Sequence, residues 1–125
     1  MTVSHPKNHL AFGHAVERAA CHFLQKQGLL LITSNYATRG GEIDLIMRAG
    51  ECVVFVEVRY RKSDRYGTPA ETVTASKQRK LLQTARHYLA EHPTLNTAPC
   101  RFDVIAARPS ESGLQFEWIE NALGF

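Results

Sequence analysis

Residues 41–62, GEIDLIMRAGECVVFVEVRYRK, most constrain what this chain can fold into. Two apolar segments of strand length flank a turn signal at Ala49-Gly50, and acids stand where a strand ordinarily carries Val or Ile. Alternation puts Glu42, Asp44 and Ile46 on one face of the first segment. In the second it aligns Val53, Phe55, Glu57 and Arg59. A hairpin centred on Ala49-Gly50 pairs Ile46 with Val53, Asp44 with Phe55 and Glu42 with Glu57, so all three carboxylates converge on one face. Asp44 and Glu57 then become diagonal neighbours about 7–8 Å apart at the backbone. A three-residue loop would instead put the two acids on opposite faces.

Carboxylates beside a run such as Val53–Val56 cost several kcal/mol each to bury unless they are compensated. Compensation can come from Arg59, a divalent metal or protonation; a plain salt-bridged acid on a half-exposed strand is the alternative. Hard oxygen ligands suit Mg²⁺ or Mn²⁺ better than zinc.

A set of ordered motifs carries a resemblance: GHAVERAA, GEIDLI, FVEVRYR, VTASKQRKLLQTARHYL and RFDVIA. An acid after a short strand followed by Glu-x-Lys on the next resembles the PD-(D/E)xK nuclease core. The whole chain resembles the small bacterial YraN-like family, described as Holliday-junction-resolvase-like. The resemblance implies a restriction-endonuclease-like fold and Mg²⁺- or Mn²⁺-dependent hydrolysis of DNA, including branched DNA. It matches Asp44 and Glu57 to metal-binding acids, Glu17 to a helix acid that adds a ligand, and Arg59 to the Lys position. Arg stays protonated and cannot serve as a base, but it can stabilise charge on a phosphate. A resolvase also implies a homodimer, to cut two strands symmetrically.

At 125 residues the chain suits a single domain over 1–125, with 44% hydrophobic and 22% charged residues. Cys21, Cys52 and Cys100 show no CxxC spacing, which points to reduced thiols, a cytoplasmic setting and no zinc site. Apolar runs are strand-length, so neither a signal peptide nor a membrane span is expected. The six histidines lack metal-ligand spacing. Net charge is only +3, but Arg59, Arg61, Lys62, Arg65, Lys77, Arg79 and Lys80 crowd into one region. Such a patch suits a phosphate backbone, as does Arg39 beside Gly40-Gly41; a solvated charged face is the plainer reading.

Residues 1–8 read as a flexible tail and 62–73 as a mobile loop. A helix is expected over His9–Gln27 with Asn8 as N-cap and Phe12, Val16, Ala19, Ala20 and Phe23 buried; Glu17 lies on the flank. Leu29–Thr33 reads as a strand and SNYATRGG as a loop. A second helix is expected from Thr74 or Ala75 to His92, burying Leu81, Leu82, Ala85, Tyr88 and Leu89. Lys77, Arg79 and Lys80 in its first turns oppose the helix dipole, which hints at a bound anion. Arg101–Arg108 and LQFEWIE complete the strands, and Asp103 either pairs with a basic residue near the site or caps its strand's polar face. The order α-β-β-β-α-β-β makes a three-layer α/β domain with a central mixed sheet between helices.

Two functions compete: a metal-dependent endonuclease, and a nucleic-acid-binding module that kept the fold and lost turnover. A protein-interaction domain with a basic face for an acidic partner is a third.

Overall fold

Two-residue turns decide the connectivity of most of the sheet, because a link that short can only join antiparallel neighbours. The computed structural model describes residues 6–124 except 64 and 66, with side chains from Leu10 onward. In chain order it contains α1 (Pro6–Lys26), β1 (Leu30–Thr38), β2 (Gly41–Ala49), β3 (Cys52–Tyr60), α2 (Ala75–Glu91), β4 (Cys100–Ser110) and β5 (Gly113–Leu123), with a short 3₁₀ turn at Pro93–Leu95. The strands form one sheet in the order β1-β2-β3-β4-β5. Pairs β1–β2, β2–β3 and β4–β5 are antiparallel, whereas β3 and β4, joined through α2, are parallel. The expected mixed sheet and element order are what the chain adopts.

The helices cover opposite faces of the sheet. Ala20, Cys21 and Leu24 of α1 pack on Leu45, Met47, Val54, Val56 and Ile105. Leu81, Ala85 and Tyr88 of α2 pack on Ile43, Ile46, Val53, Phe55, Phe102 and Val104. This two-sided cover explains the run Val53–Val56, in which every residue is buried.

Several local expectations are corrected. Helix α1 begins at Pro6, a residue suited to a first helical turn, so Asn8 is inside the helix rather than its cap. Residues 6–8 of the expected tail are thus helical, and residues 1–5 lie outside the described residues. The buried stripe starts only at Val16; Phe12 is exposed and meets the Tyr60 ring edge-on at 4.9 Å. Ser34–Thr38, expected as loop, is the second half of β1. Pairing with β2 satisfies this backbone, and an edge strand tolerates polar side chains on its open side. Thr84 joins the buried face of α2, its hydroxyl donating to the Lys80 carbonyl at 2.7 Å.

The β2–β3 turn is Gly50-Glu51, not Ala49-Gly50, since Ala49 pairs with Cys52. Gly50 takes φ 61°, the sign that the tight primed turns of hairpins demand. Ile46 therefore pairs with Phe55 rather than Val53. The shift is two residues, so the change of register by itself moves no side chain to the other face.

Asp103 is fully buried and answers to the scaffold. Its carboxylate accepts from Arg101 Nε at 3.0 Å, Trp118 Nε1 at 2.9 Å and the Asn121 N–H at 2.8 Å. Its basic partner is thus Arg101 of its own strand, and it locks β5 to β4. Asp103→Ala strands these donors and should cost about 3–5 kcal/mol, read as a large fall in the denaturant midpoint. A loss under about 1 kcal/mol would show that water replaces the carboxylate.

Candidate active site

Strands β2 and β3 stay paired as far as Leu45 and Val56. One step further on, Asp44 and Glu57 face each other across the opening between them. There Asp44 Oδ2 accepts from the Val58 N–H at 2.8 Å, taking a donor that a strand partner would otherwise use. Asp44 is partly buried, and Glu57 retains 3% of its exposure. The expected register made them diagonal neighbours; the observed ladder ends one step before them, and Asp44 feels the Glu57 charge. The strict alternation of β2 also fails here, since Ile43 and Ile46 enter the same core cluster.

Helix α2 supplies the nearest cation. Thr74 caps the helix, its hydroxyl oxygen accepting from the Lys77 N–H at 3.2 Å. The Lys77 ammonium then lies 2.9 Å from Glu57 Oε2, while Arg59 Nη1 is 3.7 Å from the same oxygen. Arg59 is steadied by Nη2 donating to Thr72 Oγ1 at 3.2 Å, and Thr72 in turn donates to the Pro69 carbonyl at 2.8 Å. Close approach of β2 to α2 depends on Gly41, where a Cβ would come within 3.1 Å of Thr84 Oγ1. Between them lies a cleft of about 320 Å³ lined by Glu42, Asp44, Thr74, Ser76, Lys77 and Lys80 among others.

The convergence of three carboxylates is corrected. Glu42 is exposed and pairs with Ala37 on β1, leaving Asp44 and Glu57 as the inner pair. Glu17 projects from α1, on the opposite side of the sheet, and accepts from Asn35 Nδ2 at 2.9 Å. It lines a second hollow of about 260 Å³ with His14, Cys21, Ser34 and Asn35. Among the described residues no three Asp, Glu, His or Cys side chains come together as a metal cluster.

The basic residues divide. Lys77 and Lys80 line the acidic cleft. Arg39, at the β1–β2 turn, lies in a separate hollow with Tyr36, Gln83, His87 and Glu91. Arg61 donates its N–H to the Ala107 carbonyl, continuing the β3–β4 ladder; Lys62, Arg65 and Arg79 are exposed. Sequence reasoning missed Asn35, Thr72 and Thr74 as supports of the site. Asn35 holds φ 53°, and the available signal was that Asn tolerates left-handed backbone better than most residues.

The profile described as "Uncharacterised protein family UPF0102" matches residues 16–107, a span that holds Glu17, Asp44, Glu57, Arg59 and Lys77. The chain belongs to this family. It is 53% identical over 111 residues to the UPF0102 protein YraN of Escherichia coli strain SMS-3-5, covering 88% of this chain and 82% of that one. A UPF0102 protein of Nitrosomonas europaea is 51% identical over 110 residues, covering 88% of this chain and 91% of its own. A UPF0102 protein of Vibrio parahaemolyticus is 49% identical over 111 residues, covering 89% and 90%. No described helix of this UPF0102 chain is long and apolar enough to cross a membrane.

The electrostatics of the cleft centre on Asp44. Burial pushes its carboxyl up to about 8, helped by the Glu57 charge and, from further off, Glu17 and Glu42; the Val58 N–H pulls the other way. An unfolded Asp ionises near about 3.9, so between that pH and about 8 the folded state holds a proton that the unfolded state has lost. Asp44 therefore contributes its full stability at acid pH and loses it as pH rises through this window. Asp44→Asn removes the loss while keeping an acceptor for Val58. In chelator, the variant should melt at least about 3 °C above wild type at pH 8, with little difference at pH 4. A difference that stays flat or shrinks with pH contradicts this account of Asp44.

Proposed function

We propose that this chain is a metal-dependent endonuclease that hydrolyses DNA phosphodiesters, with branched, Holliday-junction-like DNA as the substrate class. The observation carrying the reading is the Asp44–Glu57 pair: Asp44 opens onto a cleft lined by Lys77 and Lys80, it feels the Glu57 charge, and the Lys77 ammonium contacts Glu57. Burying like charges together costs stability unless a cation repays it, and a fold without that need would place Val or Thr here.

The donor set fits Mg²⁺ or Mn²⁺. Mg²⁺ is commonly held by one or two carboxylates with the remaining positions left to water and substrate phosphate, so two inner acids suffice. Asp44 and Glu57 would hold the ion; Glu17, fixed by Asn35 on the far side of the sheet, adds negative potential. An ion held there supplies Lewis acidity and activates the attacking water. Arg59, tied to Thr72, presents a fixed guanidinium to the developing phosphate charge. Lys77 and Lys80 hold the backbone on one flank, with Arg39, Arg61, Lys62, Arg65 and Arg79 extending contact along the strand. Cutting both strands of a junction calls for two such sites and hence a pair of chains.

Glu57→Gln and Asp44→Asn should each reduce Mn²⁺-dependent junction cleavage by about 100-fold or more while leaving junction binding within about threefold. Absence of Mn²⁺ binding by calorimetry, with or without DNA, would sink the nuclease reading. The second reading, a binding module without turnover, draws on Arg59 in the position of the usual Lys. It requires junction binding with steep salt dependence, and no cleavage under any divalent cation.

A further inference from the structure

Resting on this metal-dependent reading, we propose that Lys77 is the resident counter-ion of Glu57, which a divalent cation displaces, turning the ammonium toward a DNA phosphate. Glu57 has a side chain only 4% exposed, so its charge needs a partner inside the fold. Among the described residues two cations lie beside it, and of these Lys77 is within hydrogen-bonding distance, at 2.9 Å against 3.7 Å for Arg59. Lys77 thus supplies the charge that a metal would supply to the same carboxylate.

Lys77 is also built to leave. Its backbone is pinned by the Thr74 cap, yet its side chain is 46% exposed and ends in a flexible stem. The first turn of α2 carries no acid, so nothing else there retains an ammonium against the helix dipole. Once a cation satisfies Glu57 and the neighbouring Asp44, Lys77 is released to meet an anion at the helix N-terminus, where Lys80 and the exposed Glu42 line the same cleft. Metal entry and phosphate grip are then coupled, and the coupling is reciprocal. Arg59 cannot exchange in this way, because Thr72 holds its guanidinium.

The test uses the full chain and Mn²⁺ alone, followed by calorimetry, with Lys77→Met, Lys77→Gln and Lys77→Arg. Met and Gln remove the competitor and should bind Mn²⁺ about fivefold more tightly, whereas Arg should stay within about twofold of wild type. Saturating Mn²⁺ should also raise the melting temperature of Lys77→Met by more than it raises that of wild type. Because Lys77 is half exposed, at least one of the neutral variants is expected to fold. Junction affinity, read by fluorescence anisotropy, should fall about fivefold in Lys77→Met with Ca²⁺ present and hold within about twofold in chelator. Mn²⁺ affinity unchanged or weakened by the neutral variants, or an equal loss of junction affinity in Ca²⁺ and chelator, overturns the displacement while leaving the metal reading intact. Failure of wild type and all variants to bind Mn²⁺ overturns the metal reading itself, and this inference with it.

Discussion

The burial of two neighbouring acids, Asp44 and Glu57, is the constraint to which the surrounding structure answers. A central hairpin buried on both faces would ordinarily close into a continuous ladder of apolar side chains. Here the ladder stops at Leu45 and Val56, and the Asp44 carboxylate takes the Val58 N–H for itself. The sheet gives up regular pairing to hold two acids face to face, and neighbouring elements are arranged to make that tolerable. Helix α2 brings Lys77, the segment before it fastens Arg59 through Thr72, and Gly41 lets β2 approach the helix closely enough for the ion pair to form.

Asp103, Glu57 and Asp44 solve their charge in different ways, and the contrast separates scaffold from site. Asp103 has donors on every side: a guanidinium, an indole and a backbone N–H. Glu57 has cations, both at least partly exposed to solvent. Asp44 has one backbone donor, and burial, helped by the Glu57 charge, raises its carboxyl in spite of it. A carboxylate as fully satisfied as Asp103 has no capacity left for a ligand. Asp44 has that capacity, and it opens onto the cleft.

How far this was legible in the residues follows from which signals are local. Period-two acids among β-branched residues marked β2 and β3, and Pro and Gly punctuation marked the turns, so the layers and strand order could be read directly. The parity of Asp44 and Glu57 survived a one-residue error in the turn, because it moved the register by two, and faces depend on odd and even positions. What could not be read was tertiary. Ser34–Thr38 is a strand only because β2 offers it partners, and its composition alone reads as loop. Phe12 looked like core from helical spacing, but helical spacing says which face a residue takes and not where the sheet beneath it ends.

The same limit applied to Lys77. At the start of a helix, a lysine that opposes the dipole reads as an anion-binding signal, and that reading was correct about the tension and incomplete about its object. The anion already present is Glu57, from a strand twenty residues earlier in the chain. One residue thus faces two negative partners, a buried carboxylate inside and solvent-borne phosphate outside, with a short flexible stem between them. That arrangement makes Lys77 the point at which occupancy of the acidic pair can be felt at the basic rim. Arg59, held by Thr72, remains a fixed charge, so the division of labour between the two cations follows from their tethers rather than from their charges.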